Sequence, residues 1–91
     1  MSLFTAEEKY YKMRNNLKKA FKEFAGTLNG LLDKEQTVEC YYRACDYCDE
    51  LLRWIPSTIE DEFDIIAEGE TKINITQFLN LVNNILAQFG L

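Results

Sequence analysis

A chain of 91 residues, 47% hydrophobic and 13% aromatic, carries enough apolar mass for one modest core and too much for intrinsic disorder. Four Gly and one Pro are too few for a turn-rich β-sandwich, and no apolar run approaches the ~18 residues of a membrane span. There is no histidine, which removes the side chain most used for proton transfer near neutral pH and the commonest metal ligand.

The net charge of −5 is unevenly spread. Residues 1–24 hold six cations (Lys9, Lys12, Arg14, Lys18, Lys19, Lys22) against three carboxylates, giving +3, whereas residues 25–91 hold four cations against twelve carboxylates, giving −8. Half of those twelve fall between Glu60 and Glu70. The N-terminus lacks a basic flank followed by an apolar stretch, so no secretory leader is expected. Cys40, Cys45 and Cys48 are odd in number and crowded into nine residues, whereas a disulfide framework spreads its cysteines. A reducing, cytoplasmic setting is the expectation.

The apolar residues recur at helical spacing almost throughout. In the first helix, expected over 6–29, Thr5 and Glu8 have the spacing of a capping box. Ala6, Tyr10, Met13, Leu17, Ala20, Phe21, Phe24, Leu28 and Leu31 fall on one arc at about 100° per residue, centred on Leu17 and Phe24. The Asn29-Gly30 pair suits a left-handed C-terminal cap. The second helix, expected over 34–55, opens with Asp33 and Gln36 as a reciprocal cap and stops at Pro56, which disfavours helical geometry in the preceding residue. It has two apolar stripes, one through Val38, Tyr41, Cys45, Cys48, Leu52 and Ile55, the other through Cys40, Ala44, Tyr47, Leu51 and Trp54. Together they require two neighbours, or one neighbour plus a partner.

A third helix over 58–68 would be capped by Ser57 or Thr58 and closed by Gly69, with a thin apolar set of Ile59, Phe63, Ile66 and Ala67. A connector then leads to a fourth helix over 75–89. There Asn74 and Gln77 can cap reciprocally, and Ile73 and Phe78 stand at the two positions of a hydrophobic staple. Phe78, Leu79, Val82, Ile85, Leu86 and Phe89 line its buried face, and Gly90 ends it. The sequence shows no internal repeat. The expected fold is all-α: a small four-helix bundle-like single domain over 1–91, with one long N-terminal helix and roughly antiparallel sequential neighbours.

Two patterns touch known chemistry. Cys40, Cys45 and Cys48 have the C-x4-C-x2-C spacing of plant-type iron–sulfur ferredoxins, but that cluster needs a fourth cysteine and an open loop. A zinc site would need Asp49, which faces away from Cys40 on a helix. Buried apolar cysteines are the expectation. The segment from Asp61 to Phe78 resembles the second half of an EF-hand. With Gln77 as the twelfth loop position, Ile66 is first and Thr71 sixth, so the first ligand, the glycine and the bidentate carboxylate are all missing. Calcium is not expected there. No metal, cofactor or catalytic residue is predicted, and no enzyme.

The surfaces that remain are binding surfaces. Tyr42, Tyr47, Leu51 and Trp54, on the second helix, are the candidate partner-binding residues, because Tyr and Trp bury much area at little rotamer cost. The acidic arc Glu60, Asp61, Glu62, Asp64, Glu68 and Glu70 is either a solvated helix start or a decoy for a basic surface. The alternative is nucleic-acid contact through Tyr11, Arg14, Lys18 and Lys22, a stripe on the first helix, opposed by the −8 of the remaining chain. The reading is therefore a small cytoplasmic helical module that binds another protein, or itself as a homodimer, through apolar helix faces. A nucleic-acid-associated regulator is the alternative, and a membrane partner is not expected.

Overall fold

The structure, a computed structural model, describes residues 6–48 and 51–88, with side chains from residue 11 onward. Four α-helices, α1 (Ala6–Ala25), α2 (Lys34–Tyr47), α3 (Pro56–Ala67) and α4 (Ile75–Gln88), enclose one core, with two-residue strands β1 (Leu32–Asp33) and β2 (Lys72–Ile73) between them. The helices form a closed ring in which α1 packs on α2, α2 on α3, α3 on α4 and α4 on α1. The two apolar sides of α2 are thus answered by α1 and α3.

β1 and β2 pair antiparallel, with Leu32 opposite Ile73 and Asp33 opposite Lys72. Leu32 and Ile73 are fully buried, so the ladder ties the two interhelical connections to the core. The chain therefore contains helix–strand–helix twice, a structural repeat that the sequence pattern did not reveal. Few identities carry it: an apolar strand residue (Leu32, Ile73), then an Asx residue (Asp33, Asn74), then Gln three positions on (Gln36, Gln77).

The Asp33–Gln36 and Asn74–Gln77 caps both form. The Gln36 amide N–H donates to Asp33 Oδ1 at 2.8 Å, and the Asp33 N–H donates to Gln36 Oε1 at 3.0 Å. The Gln77 N–H donates to Asn74 Oδ1 at 2.9 Å, and the Asn74 N–H to Gln77 Oε1 at 2.8 Å. Each pair satisfies two backbone donors that a helix start leaves without an intrahelical acceptor. Ile73 and Phe78, at the staple positions, are both fully buried.

Three boundaries differ from expectation. First, α1 ends at Ala25 rather than near residue 29. Gly26 takes the left-handed conformation, φ +86°, and its N–H returns to the Lys22 carbonyl at 2.8 Å. Gly30 matters for a different reason. A Cβ there would lie 2.6 Å from the Ala25 carbonyl oxygen, so glycine lets the turn close onto the helix end. Leu28 and Leu31, placed on the buried arc by periodicity, are exposed in this turn. The arc centre also shifts: Leu17, Ala20 and Phe21 are buried, whereas Phe24 is only half-buried, with the Arg43 guanidinium 5.8 Å from its ring centre. Phe21 meets Phe78 of α4 with ring centres 5.9 Å apart.

Second, α2 ends at Tyr47, eight residues before the expected stop at Ile55. The linker that follows is held by side chains of the helices. The Tyr41 hydroxyl donates to the Leu52 carbonyl at 2.7 Å and the Tyr42 hydroxyl to the Trp54 carbonyl at 2.6 Å. Asn16 of α1 donates from Nδ2 to the Tyr47 carbonyl at 3.0 Å. Backbone acceptors that a helix would have used internally are satisfied from neighbours, which permits a turn despite uninterrupted helical periodicity. Third, α3 starts at Pro56 itself, in the first helical turn, where a missing N–H is harmless. Ser57 and Thr58 lie inside it, and Ile55 is the N-cap residue without a side-chain cap bond.

The end of α3 matches expectation: Glu68 is left-handed and Gly69 has φ +91°. On α4, Phe78, Leu81, Val82 and Ile85 are buried, while Leu79 and Leu86 are half-buried. The expected roles of Thr5, Asp49, Phe89 and Gly90 lie outside the described residues. No described helix is long and apolar enough to cross a membrane.

Candidate functional site

The connection before α4 can be tested against the calcium geometry it resembles. In the second connection the Gln77 side chain accepts its cap bond and donates from Nε2 to the Ile66 carbonyl at 3.3 Å. Ile66 and Gln77 are the first and twelfth positions of the resembled loop. An amide thus spans the ends that, in a calcium loop, a metal ion would gather through a carboxylate. In the first connection the same spacing from Gln36 puts Ala25 at the first position, a residue with no ligand atom in its side chain. Among the described residues no cluster of three or more Cys, Asp or Glu has metal-binding geometry.

Cys40, Cys45 and Cys48 are free thiols, all buried in the core. Burial pushes the Cys40 thiol up to about 12, with the nearby Glu23 carboxylate adding to the rise. Burial likewise raises Cys45 to about 11, and its thiol points to the Leu52 carbonyl at 3.8 Å. The thiolate is the reactive and metal-binding form, so neither Cys40 nor Cys45 has nucleophile character near neutral pH. The Tyr41 phenol is also raised by burial, far above its ordinary 10.0.

The four candidate partner-binding residues separate. Tyr42 and Trp54 come together, joined by the Tyr42 hydroxyl bond to the Trp54 carbonyl. With Arg53, Ile55 and Pro56 they line an open cleft of about 350 Å³ at the corner between α2 and α3. Leu51 turns inward and is buried in the core. Tyr47 stands on the α1 side, five residues from Tyr42 and so about 140° around the helix. Its hydroxyl donates to Glu23 of α1, and Lys19 Nζ sits 4.4 Å from its ring centre. Arg43 completes that clasp by pairing with Glu23 at 3.4 Å. Tyr47 braces α1 on α2.

The residues that sequence reasoning missed are Ile55 and Leu52. As members of an α2 stripe they were expected to be covered; in the linker they are 65% and 46% exposed. Helical periodicity could not reveal this, because the signal for burial continues through the turn. Of the acidic arc, Glu62 is buried against Gln88 of α4, and Asp64 pairs with Lys34 at 2.7 Å. Asp61, Glu68 and Glu70 are exposed, and Glu60 is half-exposed. On α1, Tyr11 and Lys22 are exposed, and Arg14 and Lys18 are half-buried.

No family model, curated protein or solved structure matches this chain.

Proposed function

We propose that this chain is a non-enzymatic protein-binding module that engages its partner at the α2–α3 corner, through Tyr42, Trp54, Ile55 and the flanking Leu52. The observation that carries this reading is the anchored linker. Two tyrosine hydroxyls fix the carbonyls of Leu52 and Trp54 while the Leu52 and Ile55 side chains remain open to solvent. Exposed apolar residues on a constrained backbone beside an aromatic cleft lose little entropy on docking, which is what interface anchors require. The three free thiols suit a reducing cytoplasmic compartment.

The test is capture from native lysate with the tagged chain, comparing wild type with Ile55→Asp and Lys18→Glu. Loss of a specific protein with Ile55→Asp, and its retention with Lys18→Glu, is the expected result. Nucleic acid retained by wild type and lost with Lys18→Glu would instead favour the basic face of α1.

A further inference from the structure

The cleft at Trp54 is one end of a longer trough. A second hollow of about 450 Å³ lies between α2 and α3, lined by Lys34, Glu35, Val38, Glu39, Pro56 and Glu60. It shares Pro56 with the Trp54 cleft. A third, of about 390 Å³, continues from Lys34 and Glu35 to Phe63, Asp64 and the Glu70-Thr71 turn. The apolar floor runs through Val38, Tyr42, Ile55 and Pro56. The rim is acidic: Asp33, Glu35, Glu39, Glu60, Asp64 and Glu70 line the three hollows against Lys34 and Arg53. Both cations are already engaged, Lys34 by Asp64 and Arg53 by Asp46. The rim left over, Glu35 and Glu39 one turn apart on α2 with Glu60 across from them on α3, presents a one-signed field over apolar ground.

Resting on the protein-binding reading above, we infer that the trough between α2 and α3 takes a basic amphipathic segment of another protein, its apolar residues on Val38, Tyr42, Ile55 and Pro56 and its Lys or Arg side chains against Glu35, Glu39 and Glu60. Complementary potentials across an interface select the partner and speed encounter, and an apolar groove takes an amphipathic helix through residues at i, i+3, i+4 and i+7. A segment of about four turns would run the length of α2. An acidic partner would meet like charge at Glu35, Glu39 and Glu60.

Trp54 is the one tryptophan in the chain and sits at the trough's end, so its emission reports occupancy. The probes are two tryptophan-free helical peptides of about 14 residues with the same leucine stripe, one with lysine over the polar face and its twin with glutamate. The lysine peptide should shift Trp54 emission, and the glutamate twin should not. Salt raised to about 1 M, where charges are screened beyond ~3 Å, should weaken binding, and the double variant Glu39→Lys/Glu60→Lys should weaken it about tenfold, roughly 1.4 kcal/mol. Circular dichroism checks that the variant folds; if it does not, the salt titration and the twin peptide decide.

Equal, salt-insensitive binding of both peptides overturns the charge inference and leaves the apolar docking site standing. Silence from both peptides, with a lysate partner still lost on Ile55→Asp, overturns the inference alone. Silence together with no such partner removes both readings. A salt-sensitive dimer mass in sedimentation equilibrium, with Trp54 emission changing with protein concentration and no peptide present, makes a second copy the occupant and also overturns it.

Discussion

The two helix–strand–helix units of this chain use one device for two differently charged bodies. In each, a buried strand residue leads into an Asx cap and a glutamine three positions on, and the two strands meet as Leu32 opposite Ile73. The first unit carries a 20-residue basic helix and a turn that exposes Leu28 and Leu31. In the second, a 12-residue acidic helix is followed by a turn with two successive left-handed residues, Glu68 and Gly69. The comparison shows that local capping chemistry sets the turn into α2 and α4, while the face each unit presents is set by the helix before the turn. It also separates the connections inside the units from the linker between them. The former are held by Asx–Gln side-chain caps and a strand ladder, the latter by the Tyr41 and Tyr42 hydroxyls of α2 reaching to its carbonyls, with Asn16 of α1 bonding the last carbonyl of α2.

The largest expected effect tests the joint between the units. Phe21→Ala should destabilise the fold by about 3–5 kcal/mol, because Phe21 is fully buried against Phe78 of the other unit. Phe24→Ala should cost clearly less, since that ring is half-buried under Arg43. Urea denaturation of both variants measures the difference, and equal losses would mean that the helical phase of α1 is wrong.

Alkaline pH should act on the first unit through its buried thiol. The folded state keeps the Cys40 proton up to about pH 12, whereas the unfolded chain releases it near 9.0. A raised acid pKa contributes stability that is fully present below 9.0 and lost as pH climbs through that window, at up to about 1.4 kcal/mol per pH unit for one group. Cys40→Ala should flatten that decline in denaturant midpoints followed from neutral pH upward. An unchanged slope would show that other groups, such as the buried Tyr41, carry it.

The caps sharpen the comparison at smaller scale. Asp33→Ala and Asn74→Ala should each cost about 1 kcal/mol. Gln77→Ala should cost more than Gln36→Ala, because Gln77 also donates to the Ile66 carbonyl. Thermal melts of the four variants decide this, and identical losses for the two glutamines would deny the amide its part in closing the second turn. The smallest effect belongs to Ile55→Asp, which should alter stability by under ~0.5 kcal/mol. A large loss there would mark Ile55 as a structural residue and remove it from the docking face.

The sequence alone determined the all-α class, the number of helices, both Asx–Gln caps, the burial of Phe78, and the burial of the three cysteines. These follow from interactions within one turn of chain or from the 3.6-residue period, which require no knowledge of neighbours. Tertiary structure decided where α1 and α2 stop, that two distant dipeptides pair as strands, and which aromatics face outward. Periodicity continues through both helix ends; α1 stops where Gly26 turns left-handed and Gly30 lets the chain close on Ala25, and the turn after α2 exists because Tyr41 and Tyr42 bind the linker carbonyls. Of the candidate site, Tyr42 and Trp54 were legible as amphipathic aromatics, Trp54 on an edge stripe and Tyr42 past the opposite edge. Ile55 and Leu52 were not, because their exposure arises only once the linker leaves the helical path.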